Sequence, residues 1–357
     1  MKIGILTFHH SNYNYGAVLQ AFSIYKLIES LGYESYIINY TPEPQTIRKK
    51  MAAWIVALLG LEFRKFRKKN IPRILHKTNS FEDLKKLNNM LDGFIVGSDQ
   101  VWRYRSDTQS MRRYYLDFAG EKKLKIAYAA SFGTDNWEGE ENISQQIKQL
   151  LQRFDAISVR EKSGINICQS VFGIKTTAVL DPTLLLNPAY FHEMADRKPM
   201  LKQKSSRMAY MLLDDSKTRE KIFREVAKRN KLKFVRIHGI KLLSKKGFFL
   251  FRSVNFWLSN IKNAEIVVTD SFHCVAFSIL FQKKFICLAN AHRGVTRIEN
   301  LLKLLGLQSR LISDLNHIDE KVLKTEIDYK HVEDILLAEK NKSLEFLRES
   351  LSKMGKH

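Results

Sequence analysis

Long apolar runs are missing from this chain. The longest, Met51 to Leu61, is far short of the ~20 residues needed to cross a bilayer, so no spanning helix is expected. Cysteine is scarce. Cys168, Cys274 and Cys287 are widely spaced, no pair has metal-ligand spacing, and the odd count argues against a disulfide framework. They read as small core residues in a reducing compartment. No secretory leader is expected, because Met1 to Leu6 runs directly into His9 and His10, and the expected location is cytoplasmic. Also absent are the phosphate-binding P-loop, GxGxxG, HExxH and GxSxG. The adjacent pair His9-His10 suits a loop better than a shared ion, so neither a metal nor another cofactor is expected. There is no repeat and no low-complexity tract.

Negative charge is in short supply. Against 59 Lys plus Arg stand 37 Asp plus Glu, a net charge of +22, which implies an anionic partner: nucleic acid, an acidic membrane face or a phosphorylated substrate. The 357 residues suffice for about two domains.

Apolar runs separated by polar turns predict strands at Lys2 to Thr7, Ser35 to Asn39, Gly93 to Gly97, Lys125 to Ala130, Ala156 to Val159 and Thr177 to Leu180. A second series falls at Met208 to Leu213, Lys233 to Ile237, Glu265 to Thr269 and Lys284 to Leu288. Helical spacing over Gly16 to Leu31, closed by Gly32, completes a βαβ opening with parallel pairing. Asp181-Pro182 and Asn187-Pro188 mark a boundary. The expected architecture is α/β: two Rossmann-like domains, 1–185 and 186–330, with a cleft between them and an amphipathic helix over 331–357.

The first domain carries a basic, apolar insertion at about 47–76. Arg48-Lys49-Lys50 precedes the apolar plug, and cations as far as Arg73 follow it, interleaved with Phe63 and Phe66. Such a segment suits the headgroup layer of an acidic leaflet, each basic residue contributing about 1 kcal/mol. A buried helix is the alternative. Nucleic acid is the less favoured partner, since no recognisable module accompanies the charge.

Polar groups collect at strand ends, where open α/β sheets bind ligands. Asn14 and Gly16 open the first helix, whose N-terminus favours an anion, though both are also ordinary capping residues. Ser98, Asp99 and Gln100 follow Gly97, with a helix cap as the plainer role for Ser98 or Asp99. Arg160 can fork onto a carboxylate or phosphate, or pair with Glu161. His273 is the strongest candidate catalyst, a proton carrier near neutral pH with Asp270 and Ser271 beside it.

These residues belong to longer stretches: Asn14 to Phe22, Ile95 to Trp102, Ala129 to Gly133, Ser158 to Gly164, Leu180 to Thr183, and Thr269 to His273. Six in this order resemble the polysaccharide pyruvyl transferases over nearly the whole chain. The resemblance implies an architecture similar to glycosyltransferase B and transfer of pyruvate from phosphoenolpyruvate to a sugar as a ketal. The implied acceptor is an oligosaccharide or lipid-linked saccharide of a capsule, exopolysaccharide or cell-wall polymer, met at the inner face of the membrane. It assigns donor binding to Arg160 and catalysis to His273; beside that, Asp99 at its strand end is the expected acceptor of a hydroxyl proton. Asn14, Gly16, Ser98, Gln100, Ser131, Asp270, Ser271 and Arg293 complete the expected site. Many members carry Arg-Leu-His where this chain has Ser271-Phe272-His273, so Arg293, Arg297 or a lysine substitutes, or the donor sits differently. The rival readings are a nucleotide-sugar glycosyltransferase on the same scaffold and a non-catalytic membrane-associated assembly protein.

Overall fold

A computed structural model describes residues 1–10, 14–42, 60–197, 206–214, 216–241, 249–290, 295–313 and 320–353. They form two compact units. The first gathers the described residues of 1–53, 67–186 and 337–357, the second those of 54–66 and 187–336.

In the first unit the strands are β1 (Lys2–Leu6), β2 (Glu34–Ile37), β3 (Gly93–Val96), β4 (Leu124–Ala130), β5 (Ala156–Val159) and β6 (Thr177–Ala178). They form one sheet in the order β2-β1-β3-β4-β5-β6, parallel throughout. Every residue of β3 and β4 is buried, as a parallel sheet covered on both faces requires. The chain steps from β1 outward to β2, then resumes on the other side of β1 with β3. That reversal is the topological switch point, and the crevice outside the carboxyl ends of β1 and β3 is the natural ligand site.

The first helix, Tyr15–Ser30, starts where Asn14 Oδ1 accepts the Ala17 amide at 3.1 Å. It closes at Gly32, whose φ of +89° lets Tyr33 N reach Ile28 O, a left-handed exit that costs glycine nothing. The last helix runs Tyr329–Ser352. From Leu337 onward it packs in the first unit, burying Leu347 and Leu351 and accepting the Leu180 amide on Ser343 Oγ at 3.0 Å.

In the second unit the strands are β7 (Arg207–Met211), β8 (Lys233–Arg236), the short antiparallel pair β9 (Ile240–Lys241) and β10 (Phe249–Leu250), then β11 (Ile266–Thr269), β12 (Lys284–Leu288) and β13 (Leu311–Ile312). The parallel sheet has the order β13-β12-β11-β7-β8, which places its switch point between β7 and β11. The pair β9/β10 and strand β13 are absent from the sequence reading. Two-residue strands are too short to display a period.

Within the insertion, the helix Leu61–Asn70 buries Phe63 and Phe66 and exposes Arg64, Lys65, Lys68 and Lys69. Arg48 to Lys50 and the plug from Met51 to Leu59 lie outside the described residues. Among the described residues no helix is long and apolar enough to cross a membrane.

Candidate functional site

The end of β3 is built under strain. Asp99 holds φ at +86°, a left-handed conformation that a non-glycine residue adopts at a cost of about 1–3 kcal/mol. What fixes it is a short ladder: Ser131 N donates to Asp99 O at 3.1 Å, and Trp102 N donates to Ser131 O at 3.1 Å. Trp102 is fully buried, stacks on Tyr115 at 5.2 Å and donates its indole N–H to Tyr114 O at 2.9 Å. The tryptophan therefore anchors a loop that presents Ser98, Asp99 and Gln100. No helix begins at this loop; the next one, Thr108–Arg113, is capped by Asp107. The Asp99 carboxylate accepts the Gln100 amide at 2.9 Å. Gly97 suits a close approach, because a Cβ there would press on Thr7 Cβ at 3.0 Å.

Next to it, β4 bulges. The register against β5 shifts between Ala127 and Ala130, with Ala129 at φ +52°. Ser158 fills the gap, accepting the Ala129 amide at 3.1 Å and donating to Ala127 O at 3.0 Å. Bulges of this kind re-aim side chains beside binding sites. Here the bulge delivers Ser131 to Glu161, whose Oε1 accepts Ser131 Oγ at 2.8 Å and the Phe132 amide at 3.0 Å.

Arg160 leaves the end of β5 with its side chain 2% exposed. Its Nη1 lies 3.0 Å from Asp181 Oδ2 and 3.4 Å from Ser98 Oγ, and its Nε lies 3.8 Å from Glu161 Oε2. Burial works against the guanidinium charge, but Asp181, Glu161 and Asp99 outweigh it and hold its pKa above the usual value. Asp181 is the hub: Oδ2 also accepts Ser98 Oγ at 2.7 Å, and Oδ1 accepts Thr183 N and Thr183 Oγ1 at 2.9 and 2.6 Å. The guanidinium is thus ringed by carboxylates before any ligand arrives.

At the exit of β1, Thr7 Oγ1 donates to Ser98 O at 2.7 Å, and Gln20 from the first helix donates to Thr7 Oγ1 and Phe8 O at 2.9 and 3.0 Å. The start of that helix, with Asn14 and Gly16, is fastened to the same crevice. His9 and His10 follow. Burial, reinforced by His10 and Arg67, lowers His9 to about 3, with the Ile38 backbone pulling weakly the other way. Burial plus Arg67, Arg105 and Lys77 lowers His10 to about 4.

In the second unit, His273 is 8% exposed in the first turn of the helix Phe272–Leu280, its ring edge-on to Phe272 at 5.3 Å. Ser271 occupies the cap position, its amide donating to Thr269 Oγ1 at 3.1 Å. Asp270 does not bond to His273. Its carboxylate accepts the Leu213 and Asp214 amides at 2.6 and 3.2 Å and Asn290 Nδ2 at 3.1 Å, tying the ends of β7, β11 and β12 together at the switch point. Arg297 lies in the first turn of the helix Thr296–Leu304, and Arg293 lies outside the described residues. Burial pushes the Cys168 and Cys274 thiols up to about 12, and all three cysteines are free. Among the described residues no three His, Cys, Asp or Glu side chains gather as a metal site.

The sequence pattern described as polysaccharide pyruvyl transferase matches residues 14–292. The chain belongs to that family. No curated protein matches it at a significant level. Among solved structures, it is similar to the UDP-GlcNAc 2-epimerase from Neisseria meningitidis bound to UDP-GlcNAc, at 12% identity and a TM-score of 0.59, over 99% of this chain and 100% of that one. A putative UDP-N-acetylglucosamine 2-epimerase from Listeria monocytogenes is similar at 11% identity and a TM-score of 0.54, over 98% and 90%. An alpha-glucosyltransferase in complex with UDP and DNA follows at 9% and 0.50, over 99% and 96%. These likenesses establish an α/β fold of two parallel-sheet domains, of the glycosyltransferase B kind.

For this pyruvyl transferase family member, the sequence reading passed over the roles of Asp181 and Glu161. Asp181 entered it as the partner of a breaking proline, and Glu161 as a pairing partner for Arg160 with no link to Ser131. Their partners lie far away in sequence: Ser98 is 83 residues from Asp181, and Ser131 is 30 from Glu161. The available signal was the presence of two carboxylates in a strongly basic chain, each within two residues of the end of a predicted strand.

Proposed function

We propose that the protein transfers pyruvate from phosphoenolpyruvate to a sugar of a surface polysaccharide or its lipid-linked precursor, forming a cyclic ketal and releasing inorganic phosphate. The observation that carries this reading is the family match over residues 14–292. The strand-end acid, base and cation groups supply suitable chemistry.

The donor's vinyl carbon takes a proton, its double-bond electron pair forming the new C–H bond and leaving an oxocarbenium-like centre at the adjacent carbon. One sugar hydroxyl attacks that centre and loses its proton. The C–O bond to phosphate breaks, and a second hydroxyl closes the ring. One proton enters the methyl group, two leave the hydroxyls, and the net proton departs on phosphate. In this reading His273 donates the proton, Asp99 receives one from a hydroxyl, and Arg160 faces the donor carboxylate.

With phosphoenolpyruvate and an oligosaccharide fraction from cells that make the protein, phosphorus NMR should record free phosphate appearing only when both are present. Release of a nucleoside diphosphate from a nucleotide sugar instead would favour the glycosyltransferase reading. The cations from Arg48 to Arg73 support a role at an acidic membrane surface, where lipid-linked acceptors reside. Co-sedimentation with vesicles containing anionic lipid should fall when the segment is removed, and equal binding would contradict it.

A further inference from the structure

The second unit holds a cavity of about 210 Å³ at the amino end of its sheet, the end away from the switch-point crevice. Ile266 and Lys284 open β11 and β12 there in register with each other, and both line the cavity. Val226, Ile266 and Leu323 share one core, so the helices Lys217–Arg229 and Glu320–Lys324 cover the same face of the sheet. The cavity is the gap they leave at its edge. Sites for drug-sized molecules run to about 300–1,000 Å³, so this one suits a smaller ligand.

The floor is apolar: Ile266 and Leu323 are buried, and Leu232 is half-buried. The rim carries both signs of charge. Glu265 and Lys324 are exposed, and among the described residues neither side chain makes an ion pair or a hydrogen bond, with each other or with anything else. Two opposite charges thus face one opening without meeting. Lys284 is held by Glu326 at 2.9 Å, but that glutamate side chain is 81% exposed. Exposed pairs contribute little, so an incoming carboxylate can take its place. Asn230 closes the helix Lys217–Arg229 and donates Nδ2 to Val226 O at 2.9 Å. Its Oδ1 has no donor among the described residues and can accept one. A helix carboxyl end also favours a cation.

This lining selects against simple ions. A plain anion meets Glu265, and a plain cation meets Lys284 and Lys324. A molecule with both charges close together and an aliphatic body satisfies the whole wall. We infer that the cavity binds a free α-amino acid with an aliphatic side chain. Its ammonium is set against Glu265 and Asn230, its carboxylate against Lys324 and Lys284, and its side chain on the floor of Leu232, Ile266 and Leu323. The site goes beyond the proposed function and does not rest on it, since it lies at the other end of the sheet from Asp270 and is measured without turnover.

Calorimetric titration of the full chain with L-leucine tests it, at low ionic strength, where exposed charges are least screened. 4-Methylpentanoate is the same body without the ammonium, and 3-methylbutylamine is the same body without the carboxylate. L-Leucine should bind with a Kd in the millimolar range or below, and each analogue at least about tenfold more weakly, the scale expected for one lost charged hydrogen bond. Lys324→Gln and Glu265→Gln both fall at exposed positions. Each should raise the Kd for L-leucine by a similar factor, with circular dichroism confirming the fold. Unchanged affinity in the folded variants overturns the inference. So does equal affinity of the native protein for L-leucine and 4-methylpentanoate, which would make the cavity a plain carboxylate site. Absence of L-leucine binding well above millimolar concentration overturns it as well. None of these results bears on pyruvyl transfer, which is read separately by phosphate release.

Discussion

Replacing His273 with alanine is expected to lower phosphate release from phosphoenolpyruvate by about 10²–10⁴-fold in the presence of acceptor, the usual contribution of a positioned acid or base. The loss should appear in kcat with little change in the KM for donor, because a proton donor acts in the transition state rather than in ground-state binding. His273 sits in the first turn of a helix whose remaining residues from Cys274 to Leu280 are buried core, so the helix should persist without the imidazole. Its ring meets Phe272 edge-on, and Asp270 is engaged with Leu213, Asp214 and Asn290. Asp270→Asn should therefore act through the packing of the β7, β11 and β12 ends. A full-rate His273→Ala enzyme, with initial rates measured by a coupled phosphate assay, would remove the imidazole from the mechanism.

Replacing Asp181 with alanine should have the largest effect on the fold. It withdraws the nearest carboxylate from a guanidinium that is 2% exposed, and it strips hydrogen bonds from Ser98 and Thr183. Removing one partner of a buried pair typically costs about 3–5 kcal/mol. Asp181→Asn, which retains an oxygen for the Thr183 cap, should cost less. Hydrogen exchange at the β4 and β5 amides reads the first unit by itself. A loss below about 1 kcal/mol in Asp181→Ala would mean that Glu161 and Asp99 satisfy Arg160 unaided.

Apart from β13, the parallel strands of both sheets were legible because most are short apolar runs between polar turns, and the observed limits lie within two residues of the expected ones. The helix over Gly16 to Leu31 and its Gly32 exit were legible for the same local reason. What stayed hidden depends on distance. Asp99 reads as a strand-end acid or a helix cap, yet it is buried and its left-handed backbone is imposed by Ser131 and Trp102. Ser158 falls inside a predicted strand with nothing local to single it out, yet it plugs the β4 bulge. Arg160 reads as a fork for a ligand or a partner of Glu161, but its shortest carboxylate contact is Asp181. His9 and His10 read as loop residues because neither their burial nor the cations of distant segments can be seen locally. Sequence periodicity reports which face is apolar; it carries no information about which charges meet across a sheet's switch point.

Mass spectrometry of the surface polysaccharide tests the central proposal most directly, comparing cells that contain this protein with cells from which it has been deleted. Pyruvyl transfer predicts that each modified sugar from the intact cells is heavier by one pyruvic acid less one water, and that mild acid, which opens ketals, removes the increment. Identical sugar masses in the two polymers, or a polymer shortened by a whole residue, would contradict it.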